Sequence, residues 1–292
     1  MNLALIYRDF AHWYTATSIR RALEALGVSF VYYNNNDLFQ NKRTLASHSH
    51  ALVLDDGFGI GAIPHLPKKT AFWGADFHCG FEAHYQANIG QFAILYAAQY
   101  TLGVELLKKH GLESTWLPLA YDDIGMGVYA HPRASWLYDA HLVCSWSTDR
   151  RKRLRSFIEQ TYPGRAFTAE SYREVLGEAY YQSKVGLNDF GLNTDGRVRA
   201  DHVNQRTFEA MGAGTMLLTP YLVVPDLDMI FPMPGDFMVR WSSIGDCLDK
   251  LDFYIKHDDL RERIALAGMK RVLAAETYKD RVKCILADLE SL

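Results

Sequence analysis

One rhythm constrains this chain more than any other feature. Short apolar runs, each closed by Gly, Asp or Pro, alternate with helical or loop stretches. Residues 3–7, 28–33, 51–54, 70–73 and 92–96 carry it through the first half. A helix is expected over 17–26, with Ile19, Leu23 and Leu26 on one face and Gly27 as its stop signal. Runs that lack polar alternation suit strands covered on both faces, which is the habit of parallel sheets flanked by helices. The first half therefore predicts an α/β unit.

From Leu117 to about Pro132 the rhythm breaks, and glycines and prolines replace periodicity, so this segment is expected to link two domains. The alternation then resumes. Strands are expected at 140–145, 185–187 and 215–219, and helices at 149–162, 171–181 and 204–211, with a polar loop over 188–202. The tail reads as helical. Asp259 and Glu262 predict a capping arrangement, and Val282, Ile285, Leu286 and Leu289 form the apolar face of a last helix. The expected organisation is a Rossmann-like domain over 1–125, a second over 126–276, and a helix over 277–292 that packs back on the first. Two such halves would face a cleft, where ligands meet the strand ends.

A length of 292 residues fits two domains, and 49% apolar residues supply cores for both. A formal net charge of −3 predicts no general affinity for polyanions and leaves room for a local basic patch. Cys79, Cys144, Cys247 and Cys284 are scattered without a Cys-x-x-Cys pair, so idle thiols are expected in place of a zinc ribbon or disulfide framework. The N-terminus lacks the apolar run of a signal peptide, and no stretch is long and apolar enough to span a bilayer. A cytoplasmic protein is expected.

The most informative segment runs from Asn204 to Thr219. It reads as a polar loop, a helix beginning near Arg206, a small-residue turn and a buried strand. A helix N-terminus offers unpaired N–H donors and partial positive charge, so Arg206 and those amides suit a diphosphate. Glu209 lies on the same face, and a carboxylate there can accept from vicinal hydroxyls such as those of a ribose. Gly212 and Gly214 permit close approach and a tight turn. Spacing alone fits an intrahelical Arg–Glu pair with a glycine C-cap equally well.

This segment resembles the signature of the GT-B glycosyltransferases, and among them the spore-maturation-protein-like group: Arg-x-Phe-Glu-Ala, small residues with glycine, then an apolar strand ending in Thr. Further matches follow in order. Leu117-Pro118-Leu119-Ala120 resembles the group's interdomain Leu-Pro-x-Ala, and the stretch from Tyr180 to Asn188 its tyrosine-containing helix and Lys-Ile-x-Leu-Asn strand. Residues 257–265 and 276–281 resemble its closing helices. The resemblance spans roughly the last 175 residues. It implies two Rossmann-like domains in GT-B arrangement, with the second holding a nucleoside diphosphate-sugar through Asn188, Arg206, Glu209, Gly212 and Gly214. It also implies a sugar-contacting acid with seven residues between it and Glu209, which is Asp201. Asp replaces the usual Glu there.

Other candidates are read from position. Arg150 and Arg153 belong to a basic run after the first strand of the second half, where related enzymes place a phosphate-binding residue; a solvated helix face is the plainer reading, and a nucleic-acid contact is the third. Asp76 and His78 follow the run at 70–73 and are candidates for a general base or for binding hydroxyls, against surface loop residues. Arg8, Asp9 and His12 follow the first run and suit an acceptor pocket, against a loop that caps the core. No zinc spacing is met, and no metal site is expected. The absence of Gly-x-Gly-x-x-Gly counts against a dinucleotide-dependent dehydrogenase.

The expected activity is therefore metal-independent transfer of a sugar from a nucleoside diphosphate-sugar to an acceptor hydroxyl, with no cofactor beyond that donor substrate; Asp201 and Glu209 together carry the expectation that configuration is retained. A glycan, a protein, a small molecule and a modified DNA base all remain open as acceptor. Two alternatives stand beside it. One is a phage-type DNA glycosyltransferase acting on a hydroxylated pyrimidine, and the other a non-catalytic relative on the same scaffold.

Overall fold

The computed structural model describes residues 1–7, 14–40, 43–55, 60–75, 77, 80–129, 135–144, 148–170, 176–190, 203–221, 225–232 and 234–292. The chain divides into two compact units, Met1–Leu119 with Tyr278–Leu292, and Ala120–Thr277.

In the first unit six parallel strands, β1 (Leu3–Tyr7), β2 (Phe30–Asn34), β3 (His50–Leu54), β4 (Lys69–Gly74), β5 (Ile94–Ala97) and β6 (Thr115–Trp116), stand in the order β2-β1-β3-β4-β5-β6. β1 carries no charged residue and all five of its residues are buried, so the sheet is covered on both faces as its run predicts. The Tyr14–Ala25 helix buries Ala16, Ile19, Ala22 and Leu23, a 3.6-residue stripe. The closing Tyr278–Ser291 helix packs on it through Tyr278, Val282, Ile285 and Leu289, all buried. Polar bonds fix its position. Tyr96 Oη donates to Asp288 Oδ2 at 2.6 Å, and Arg281 Nε donates to the Pro118 carbonyl at 2.8 Å.

The second unit holds β7 (Tyr138–Val143), β8 (Ala166–Ala169), β9 (Ser183–Leu187), β10 (Met216–Pro220) and β11 (Val239–Trp241), parallel in the order β11-β10-β9-β7-β8. After β7 the chain goes to one side for β8, then returns to the other side for β9. Where strand order reverses in this way, loops diverge at the carboxyl ends and leave a ligand crevice. That switch point lies between β7 and β9.

The boundary between the units falls within the segment expected to link them, and residues 120–129 belong to the second unit: Tyr121, Asp122 and Met126 are buried there, and the Tyr121 amide donates to the Glu276 carbonyl at 2.8 Å. One local expectation is corrected. The Asp258–Ala275 helix starts one residue before Asp259, with His257 at its N-cap and no side-chain capping bond, so Asp259 and Glu262 make no capping box. Asp258 instead pairs with buried Arg261 at 2.7 Å. No helix among the described residues is long and apolar enough to cross a membrane.

Candidate functional site

The Gln205–Gly212 helix leaves the carboxyl edge of the second sheet between β9 and β10, and every one of its residues is buried. Its start is built from two asparagines. Asn204 is the N-cap, its side chain accepting from the Thr207 amide at 3.3 Å. Asn188, the first residue past β9, exchanges side-chain amide bonds with Asn204 at 3.1 Å in each direction, and its Nδ2 also donates to Thr207 Oγ1 at 3.1 Å. The strand end and the helix start are thereby locked together. Asn188 thus holds the start of this helix in place.

Glu209 is buried among polar groups of its own unit. Tyr180 Oη donates to its Oε2 at 3.0 Å, and Gln205 also bonds it. Burial holds this carboxyl above the ordinary carboxylate range; Arg206, Tyr180 and Gln205 pull it down, and the Asp122 charge pushes it further up. Arg206, also buried, acts in two directions. Its charge is felt by Glu209 on one side and by Cys144, just past β7, on the other. Burial pushes the Cys144 thiol up to about 11 against the pull of Arg151 and Arg206.

The basic run splits by helical geometry. Thr148 caps the Asp149–Thr161 helix by accepting from the Arg151 amide at 3.3 Å, which sets the first turn against the switch point. Arg150 grips both carboxylate oxygens of fully buried Asp189, with its Nε donating to Oδ2 at 3.1 Å. Arg151 Nη2 donates to the Asp189 backbone carbonyl at 2.9 Å. Further along, Lys152 pairs with Asp149 and Arg155 with Glu159, both on the helix surface, and Arg153 is exposed. Arg151, not singled out in the sequence, thus shares Asp189 with Arg150, whereas Arg153 stands apart on the exposed face. Guanidiniums from Arg150, Arg151 and Arg206 gather around the ends of β7 and β9, with Asp189 neutralising part of their charge. Such a bay offers many N–H donors in fixed positions, which suits phosphate oxygens.

Gly212 and Gly214 sit at the far end of the helix, about 10 Å from its start by helical rise. A Cβ on Gly212 would overlap the Tyr121 ring, and Gly214 adopts φ +80° to turn the chain into β10. Both serve packing and the turn. Asp201, Asp76, His78, Arg8, Asp9 and His12 lie outside the described residues, as does Cys79; Cys144, Cys247 and Cys284 are free thiols. Near the expected first-unit site, Asp55 at the end of β3 accepts from Tyr85 Oη at 2.8 Å and from the Ala75 amide at 3.1 Å, bracing the chain just past β4. Among the described residues no three His, Cys, Asp or Glu side chains gather to hold a metal.

Sequence reasoning also missed Tyr180, Asp122 and Asp189. Each comes from a different element from Glu209, and long-range pairing leaves no spacing signal.

The glycosyl transferase-like family model matches residues 135–287, more than half of the 292-residue chain. No curated protein matches. Among solved structures, HepE of Anabaena in complex with UDP and glucose is similar with TM-score 0.63 and 9% identity, covering 100% of both chains. AviGT4, a glycosyltransferase involved in avilamycin A biosynthesis, is similar with TM-score 0.62 and 9% identity, over 99% of this chain and 98% of that one. An α1,3-fucosyltransferase with GDP gives TM-score 0.52 and 11% identity, over 99% and 90%. At such identities the likeness speaks for the fold, a pair of Rossmann-like units of the GT-B class.

Proposed function

The chain is a glycosyltransferase of the glycosyl transferase-like family, and from that premise we propose that it holds a nucleoside diphosphate-sugar at the switch point of its second unit. One observation carries this reading: three guanidiniums and the N-terminus of a buried helix converge on the ends of β7 and β9, with the carboxylate of Glu209 one helical turn deeper. In sugar transfer, negative charge grows on the departing nucleoside diphosphate while positive charge grows at the anomeric carbon. Fixed cations and helix-end amides stabilise the first without reorganising. Arg150, Arg151 and Arg206 take that role, and Glu209 accepts from the ribose hydroxyls. HepE, which shares the fold, was solved with UDP and glucose, and the fucosyltransferase with GDP, which supports a diphosphate donor here.

Arginines serve the leaving group directly, so activity is expected to survive EDTA. Retention of configuration rests on Asp201 paired with Glu209, and an NMR spectrum of the product anomer decides it. Placement in the spore-maturation-protein-like group rests on the segment from Tyr180 to Asn188, which supplies both the Glu209 partner and the Asn204 lock. An acceptor hydroxyl is assigned to the carboxyl edge of the first sheet, where Asp76, His78, Arg8, Asp9 and His12 follow their strands in the chain.

Thermal-shift titration tests the donor site. UDP or GDP should raise the melting temperature of the wild type, and Arg206→Ala and Glu209→Ala should each lose most of that rise. No stabilisation by either nucleotide would sink the reading.

A further inference from the structure

Tyr180 is used by nothing in the mechanism above, yet it is tightly held. Its ring is buried and lies 4.4 Å from the imidazole of His141 on β7. Its carbonyl accepts from the Thr215 hydroxyl, just before β10. Tyr180 is therefore held through its ring from β7 and through its backbone from the turn before β10, and its hydroxyl donates to Glu209 Oε2 at 3.0 Å. A carboxylate has about four acceptor positions on its two oxygens, so the bonds from Tyr180 and Gln205 orient Glu209 while leaving acceptor capacity on it.

We propose that Tyr180 is a positioning residue for nucleotide recognition, holding the Glu209 carboxylate so that its remaining lone pairs meet the ribose hydroxyls. The proposal rests on the reading of Glu209 as the ribose carboxylate. Glu209 faces a mixed set of groups. Arg206 and Gln205 come from its own helix, Tyr180 from the Leu176–Tyr181 helix, and Tyr121 and Asp122 from the segment after residue 119. Asp122 repels the ionised form and Tyr180 favours it, so the hydroxyl also widens the pH range over which the carboxylate can accept.

Tyr180→Phe keeps the ring against His141 and removes only the hydroxyl. UDP and GDP are titrated against wild type and variant, and the tighter one is repeated as its 2′,3′-dideoxy form. Wild type should prefer the ribonucleotide. Tyr180→Phe should bind that ribonucleotide about tenfold more weakly, as for loss of a hydrogen bond to a charged group, with the dideoxy form unaffected. The acid limb of ribonucleotide binding should also move to higher pH in the variant. An unchanged preference and an unchanged acid limb in a folded Tyr180→Phe would overturn the proposal and leave the ribose reading intact. Equal binding of both sugars by the wild type, or no binding of UDP or GDP, would overturn the ribose reading and this proposal with it.

Discussion

Glu209 shows how a functional residue can oppose the stability of its own fold. Its carboxyl titrates above the ordinary range because burial disfavours the charge more than Arg206, Tyr180 and Gln205 restore it. A group raised in this way contributes stability that is complete below its unfolded value, about 4.3, and that fades as pH climbs through the folded one. Glu209→Gln is therefore expected to melt higher than wild type at pH 7, by a few degrees, and to flatten the fall in melting temperature between acid and neutral pH. The loss of a partner for Arg206 opposes this gain, but burial is the larger cause, so the sign stands. Melting curves from pH 4 to 8 check it, and a lower melting temperature for the variant at pH 7 would refute it. Asp189 is fully buried and answers two guanidiniums, so Asp189→Ala should cost about 3–5 kcal/mol in urea unfolding, because it leaves cations in place without their counter-charge.

At the scale of elements, legibility follows burial. β1 occupies the very residues of its apolar run, since a strand covered on both faces has no polar positions to blur its ends. β8 is half-buried along its whole length and stands at a sheet edge, and β11 has only three residues; neither leaves a run to read. The Gln205–Gly212 helix was legible because its cap, its Arg–Glu spacing and its glycine end are all local. Its partners were not: Tyr180 meets Glu209 across 29 positions and Arg150 meets Asp189 across 39, and no short pattern links them. The terminal glycine of this helix offers a test at the same scale. Gly212→Ala would drive a methyl into the Tyr121 ring, with an expected loss of about 1–3 kcal/mol by chemical denaturation. Nucleotide affinity should change less than in Arg206→Ala, because the substitution lies at the far end of the helix.

For the whole molecule, the decisive fact is that the first unit is made of two chain segments. The last helix buries Tyr278, Val282, Ile285 and Leu289 in it, each contributing about 1.5–3 kcal/mol. That sum rivals the whole stability of an ordinary domain. A chain ending at Thr277 should therefore be cut by protease within residues 1–119 while 120–277 persists as a resistant fragment. Equal resistance of both segments would contradict the assignment of the helix.

The same discontinuity sets a timetable for synthesis. Domains generally fold in the order in which they leave the ribosome. Here the second unit is complete once Thr277 has emerged, whereas the first still lacks its closing helix. The unit made first must finish last. Until then the Tyr14–Ala25 helix and β4 lack a partner that packs on both, and the nascent chain has reason to meet a chaperone there.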